Sequence, residues 1–171
     1  MEEAARQRVT SARELAVLAS TAVPLFAADQ VTKGLVATAL PLGARIDVIG
    51  DVVQLWHAQN TGAAFSLFQG GLWLFVIVTV VALGMVAYFH RALRGRGLWL
   101  QAVLGVILAG ALGNFADRIR QGYVVDFISV GIGDLRWPTF NVADSSVVVG
   151  IIVLVGYLTI AERDAERGAA A

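Results

Sequence analysis

The sequence has no cysteine and only two histidines among its 171 residues. The absence of cysteine excludes disulfides, thiolate metal sites and a cysteine nucleophile. His57 and His90 fall in different segments of the chain, so a histidine-based zinc site is not expected. A Ser-His-Asp triad would have to be built on one of these two residues. We therefore expect a protein that works without a metal or a cofactor.

Charged residues are also scarce. They make up 15% of the chain, against 57% hydrophobic residues, and the mean hydropathy is +0.71. Soluble domains usually contain about 25% charged residues, so the composition indicates that lipid is the main solvent. The net charge is zero, which provides no basic excess for nucleic acid. No Pro- or Ser-rich linker divides the chain, and we predict a single domain over residues 1–171.

Four apolar stretches are long enough to cross a bilayer, which takes roughly 20 residues. The predicted spans cover about residues 13–33, 70–89, 98–115 and 142–160. The second span carries no charge, whereas the first ends in the polar residues Asp29, Gln30 and Lys33. The predicted fold is therefore an all-α membrane protein with four transmembrane helices.

Arginines predict the orientation of these spans. They precede the first span, fill the short loop between the second and third, and follow the fourth: Arg6, Arg8, Arg13, Arg91, Arg94, Arg96, Arg163 and Arg167. Because Lys and Arg are enriched in cytoplasmic loops, both termini are expected in the cytoplasm. Residues 40–69 and 119–140 would then lie on the extracytoplasmic side.

The first extracytoplasmic segment has strand-like patterning. Residues 45–57 alternate in polarity and are rich in β-branched side chains, with Gly50-Asp51 as a turn signal, which predicts a small β-hairpin. Residues 60–68 are predicted to form a short amphipathic helix. In the second segment, Gly131-Ile-Gly-Asp134 resembles a motif of another intramembrane aspartic protease class, but Pro138 follows soon after and favours a turn.

Polar residues gather at the predicted extracytoplasmic boundary, where ionisable groups within spans are costly and often functional. They lie at the ends of the first and third spans, at the start of the fourth, and in the apolar run 123–128: Asp29, Lys33, Asn114, Asp117, Arg118, Asn141, Asp144 and Asp126. This convergence indicates a site at one membrane face.

Two of these acids, Asp126 and Asp144, have apolar neighbours and no adjacent base. Carboxylates held close together share a proton, so one can activate water while the other donates a proton. Asp117 has Arg118 directly after it and Arg120 nearby, and Lys33 lies one helical turn after Asp29, which favours ion pairs for those two acids. The residues do not say which member of the pair is the base.

Five blocks of the sequence, in this order, carry a family resemblance: Asp29-Gln30 with Lys33, 60–66, 113–118, 124–128 and 140–144. With them the chain resembles the bacterial lipoprotein signal peptidases, or signal peptidase II, which are membrane aspartic peptidases. The resemblance implies removal of the signal peptide from prolipoproteins, before a cysteine that carries a diacylglyceryl group. It also implies inhibition by the cyclic peptide globomycin and a place in the bacterial cytoplasmic membrane.

The resemblance assigns residues as well. It makes Asp126 and Asp144 the catalytic aspartates, and it implies that seven polar residues line the site: Asp29, Lys33, Asn60, Asn114, Asp117, Arg118 and Asn141. We expect the protein to act as a monomer. The alternative is a small proton-coupled transporter that uses the same acids, but residues 70–89 offer only Thr79 to a conduction path.

Overall fold

The structure is a computed structural model that describes residues 2–62 and 72–169. Its four long helices are α1 (Glu2–Ala39), α2 (Leu72–Ala92), α3 (Leu98–Gln121) and α4 (Val142–Ala169). Each contains a stretch that is long and apolar enough to cross a membrane. The predicted number of spans is thus confirmed within the described residues.

The helices run further than the predicted spans. Asp29 and Lys33 do not end α1, because their side chains pair with each other at 2.8 Å while the backbone helix continues to Ala39. The third helix continues past residue 115 to Gln121, and the left-handed φ of 80° at the capping Gly122 lets its N–H donate to Arg118 O. Polar side chains that find lateral partners therefore lengthen these helices rather than terminate them.

Helix α3 is the centre of the bundle and contacts α1, α2 and α4. Glycines on it allow close approach: a Cβ at Gly105 would lie 2.5 Å from Leu18 O of α1, and one at Gly110 would overlap Ala143 O of α4. Leu104 of α3 is fully buried between its neighbours. Many outward apolar side chains stay exposed, as expected of helices that face lipid.

A four-stranded antiparallel sheet lies at the end of the bundle where α1 ends and α4 begins. Its strands are β1 (Arg45–Ile49), β2 (Val53–Asn60), β3 (Val124–Ile132) and β4 (Leu135–Arg136), in that order across the sheet. The predicted hairpin is confirmed as β1 and β2.

The sheet extends beyond the predicted hairpin, because residues 124–132 form a third strand that pairs with β2. The sequence of this strand shows no alternation of polar and apolar residues, since four consecutive side chains, 124–127, are buried. Gly133 and Asp134 form the predicted turn between β3 and β4. Arg136 closes the sheet by donating to Asp51 O at 2.8 Å. Most of the predicted short helix at 60–68 lies outside the described residues.

Candidate active site

Asp126 lies on β3, opposite Ala58 of β2, and its side chain is almost fully buried. Asn60 Nδ2 donates to Asp126 Oδ2 at 3.0 Å, and Asn141 Nδ2 donates to Asp126 Oδ1 at 2.7 Å. Burial raises the pKa of Asp126 to about 6, with Asp144 adding to the rise, while the hydrogen bonds from Asn60 and Asn141 oppose it. Asp126 is therefore a carboxyl group that can hold a proton near neutral pH.

Asp144 lies in the first turn of α4 and closes a capping box with Asn141. Asp144 N donates to Asn141 Oδ1 at 2.9 Å, and Asn141 N donates to Asp144 Oδ2 at 3.2 Å. Such reciprocal bonds satisfy backbone donors that a helix start leaves free. Asn141 thus contacts both aspartates, and the sequence spacing Asn141-x-x-Asp144 holds the second carboxylate in place.

Asn114 of α3 connects Asp144 to a buried cation. Its Nδ2 donates to Asp144 Oδ1 at 2.6 Å, and its Oδ1 accepts from Lys33 Nζ at 2.9 Å. Because the amide accepts on one side and donates on the other, its orientation is determined by these two partners. The carboxylate of Asp144 is therefore oriented from both α3 and α4.

Lys33 belongs to a buried ion cluster with Asp29 and Asp117. Its Nζ lies 2.8 Å from Asp29 Oδ2 and 2.9 Å from Asp117 Oδ2, and all three side chains are at most 2% exposed. Asp29 Oδ1 also accepts from Ala143 N at 2.9 Å, which ties the first turn of α4 to α1. The cluster holds together the helix ends that carry Asn114 and Asp144.

Of the two arginines expected near Asp117, Arg120 pairs with it at 3.3 Å, whereas the adjacent Arg118 does not. Consecutive helical residues point about 100° apart, and Asp117 faces Lys33 and Arg120 instead. The guanidinium of Arg118 lies over the ring of Phe75, at 3.9 Å from the ring centroid. It lines a cavity of about 260 Å³ that Asp144 and Asn114 also line.

Among the residues that the structure describes, three of the cavities reach the two aspartates. One of about 280 Å³ lies beside Asp126 at the sheet, and one of about 400 Å³ lies beside Asp144, against Trp137 and Phe140. The third is the Arg118 cavity described above. Within the described part of the chain, no group of three or more acidic or histidine side chains is arranged to hold a metal ion.

The nine residues singled out from the sequence lie in one connected network of hydrogen bonds, ion pairs and shared cavity walls. Sequence reasoning missed Gln30, whose Nε2 donates to Asp29 and Asp117 at 3.1 Å. It also missed Phe75. Gln30 directly follows Asp29 within a matching block, which was an available signal, whereas Phe75 looks like any apolar residue of a span.

Comparison with known proteins identifies close relatives. A sequence profile described as Signal peptidase (SPase) II matches residues 21–160. The lipoprotein signal peptidase of Shouchella clausii is 40% identical over 146 residues, 85% of this chain and 95% of that protein. The lipoprotein signal peptidase of Bacillus subtilis is 44% identical over 134 residues, 78% of this chain and 86% of that protein.

Solved structures also match. One, described as a bacterial membrane enzyme at 1.9 Å resolution, has a TM-score of 0.74 and 36% identity, covering 81% of this chain and 89% of that one. Together with the four apolar helices, this defines a multi-pass membrane enzyme. Within that class, the chain belongs to the signal peptidase II family and is a peptidase.

Proposed function

We propose that this protein removes the signal peptide from diacylglyceryl-modified prolipoproteins, cleaving before the lipidated cysteine with water activated by Asp126 and Asp144. The observation that carries the proposal is the position of Asn141, which hydrogen-bonds to both aspartates. Two carboxyl groups held by one amide residue suit an aspartic peptidase. The family relatives are named for lipoprotein substrates, which supports the substrate class.

The two carboxyl groups have different surroundings, and this suggests their roles. Asp126 is 1% exposed, and burial raises its pKa to about 6, so it holds the shared proton and donates it to the carbonyl oxygen. Asp144 is less buried and lies in the first turn of α4, where the positive N-terminal end of the helix dipole favours a negatively charged side chain. It therefore acts as the base that takes a proton from water.

The remaining polar groups position the substrate and the aspartates. Arg118 directs its charge into the cavity beside Asp144, where a peptide carbonyl oxygen would meet it. Asn60 donates a hydrogen bond to Asp126, and Asn114 donates one to Asp144. The ion cluster of Lys33, Asp29 and Asp117 fixes the relative positions of α1 and α3 beside them. None of these groups requires a metal or cofactor.

The membrane setting fits the substrate. The arginine distribution supports cytoplasmic termini in the bacterial cytoplasmic membrane, with the dyad near the extracytoplasmic face. The acyl chains of the substrate then stay in the bilayer while the scissile bond reaches the dyad. We propose that the protein acts as a monomer and that globomycin blocks the dyad.

A transporter is not favoured, because the described residues in the middle of the bundle provide no polar path. Between α2, α3 and α4 lies a cavity of about 290 Å³ whose lining residues are all apolar. Thr79, the one polar residue predicted for that span, donates its hydroxyl proton to Phe75 O at 2.8 Å. A proton path would need polar groups along this depth.

The test is cleavage of two matched prolipoprotein peptides that span the end of the signal peptide, one with a diacylglyceryl-modified cysteine and one with the free thiol. Purified protein should release the signal peptide from the modified substrate only, and globomycin should block the release. Mass spectrometry should give a product that begins with the modified cysteine. Equal cleavage of both peptides, or cleavage elsewhere, would contradict the proposed specificity.

A further inference from the structure

Phe75, in the first turn of α2, packs its ring against the guanidinium of Arg118. The guanidinium carbon lies 3.9 Å from the centre of the Phe75 ring. A cation over an aromatic face is attracted by the negative face of the ring, and the attraction grows when water is excluded. The contact joins α2, which carries none of the predicted site residues, to the wall of the cavity beside Asp144.

Arg118 has few other restraints. Its Nη1 donates to Asn114 O over a long 3.4 Å, and its Nε is buried without a hydrogen-bond partner. Among the side chains that the structure describes, in residues 10–62 and 73–168, no carboxylate oxygen lies within 4.0 Å of its guanidinium nitrogens. A long charged side chain with few contacts loses considerable rotamer freedom when it binds a ligand. The contact with the Phe75 ring restricts the Arg118 side chain before substrate binds, so that less freedom is lost on binding.

Phe75 also packs against Gly62, in the segment whose Asn60 side chain hydrogen-bonds to Asp126. A Cβ at Gly62 would overlap the Phe75 ring, so only glycine allows this approach, and Gly62 has a φ of +77°. Gly62 N donates to Asn60 Oδ1 at 2.9 Å, and Asn60 in turn donates to Asp126. One ring therefore packs between the cation beside Asp144 and the loop that orients the amide on Asp126.

We propose that Phe75 is a positioning residue of this active site. Its ring face holds the Arg118 guanidinium towards the scissile carbonyl, and its edge supports the Asn60–Gly62 turn. The assignment rests on the proposed peptidase function, because it gives Arg118 a substrate carbonyl to meet. Phe75 itself does not touch the reacting atoms.

The expected size of the effect follows from the strength of such contacts. A desolvated cation–π contact corresponds to about a 5- to 30-fold change in an equilibrium or rate. Phe75→Leu, which keeps apolar bulk but loses the ring face, should lower kcat/KM by about this factor. The melting temperature should change little, because the α2–α3 packing deeper in the bundle stays intact.

A graded substitution separates positioning from packing. A meta-difluorinated phenylalanine at position 75 keeps the ring shape but weakens its negative face, so kcat/KM should lie between those of wild type and Phe75→Leu. The matched control is Phe89→Leu on the same helix, which packs against the core away from Arg118 and should leave kcat/KM close to wild type.

A double-mutant cycle with Arg118→Ala tests whether Phe75 acts through Arg118. In the Arg118→Ala background, Phe75→Leu should cause little further loss of kcat/KM. The assignment is overturned if wild-type protein cleaves the lipid-modified substrate but the fluorinated variant matches wild type, or if the two losses simply multiply. Failure of wild-type protein to cleave that substrate would instead refute the proposed function.

Discussion

The substitution Lys33→Met tests the buried ion cluster. Lys33 Nζ lies 2.8 Å from Asp29 and 2.9 Å from Asp117, and its side chain is 1% exposed. Met has similar length and no charge, so the change leaves two buried carboxylates without their cation. Removing one partner of a buried pair costs about 3–5 kcal/mol, because the remaining charge stays desolvated. For a chain of this length, that loss corresponds to a fall in Tm of about 6–20 °C.

Two further variants test whether burial of the unpaired charge is the cause of the lost stability. Arg120 also contacts Asp117, at 3.3 Å, but its side chain is 64% exposed. Arg120→Ala should therefore cost less than about 1 kcal/mol, as is usual for exposed pairs. Removing the cluster as a whole, in the triple variant Lys33→Met with Asp29→Asn and Asp117→Asn, should recover most of the lost stability, because no unpaired charge remains.

The assay is thermal unfolding of the purified variants in one detergent, followed by tryptophan fluorescence. We expect Lys33→Met to melt far below wild type, and Arg120→Ala and the triple variant to melt near it. Equal Tm values for Lys33→Met and wild type would refute the argument. So would a loss in Arg120→Ala as large as that in Lys33→Met, since burial is the basis of the difference.

Two other changes have distinct readouts. Asn60→Ala removes a hydrogen bond that favours the ionised form of Asp126, so the pKa of Asp126 should rise above about 6. Because the proposed mechanism needs Asp126 protonated, the fall of kcat/KM with rising pH should occur at a higher pH than in wild type. An unchanged pH profile would contradict this role. Gly105→Val should destabilise the bundle by about 1–3 kcal/mol, because a Cβ at this position would lie 2.5 Å from Leu18 O. The control is Gly156→Ala, whose Cβ would meet nothing within 4 Å. Similar Tm values for the two variants would refute the packing argument.

The four spans and the clustering of polar residues at one end of the bundle were predictable because each has a strong local signal. A bilayer imposes one length and one polarity on every helix that crosses it, and residues 72–92 match both. The acids stood out since charge in such segments is costly. The Asp29–Lys33 pair was also predictable, because an i, i+4 spacing brings the two side chains together on any helix.

Long-range contacts were harder to predict. Strand β3 was missed because its buried residues 124–127 show no alternation, and only pairing with β2 reveals the strand. The contact of Asp117 with Arg120 follows from their spacing on one helix, whereas its contact with Lys33 was missed because it joins α3 to α1. Phe75 was missed because its contacts with Arg118 and Gly62 come from elements far apart in sequence.

The catalytic roles of Asp126 and Asp144 are the central claim. The direct measurement is the initial rate of signal-peptide release from a diacylglyceryl-modified substrate by Asp126→Asn, Asp144→Asn and the control Asp134→Asn, an exposed turn residue. A cooperative thermal unfolding transition should first show that each purified variant is folded. We predict that both dyad variants lose detectable turnover while Asp134→Asn keeps the wild-type rate. Turnover near the wild-type rate in either folded dyad variant would contradict the assignment.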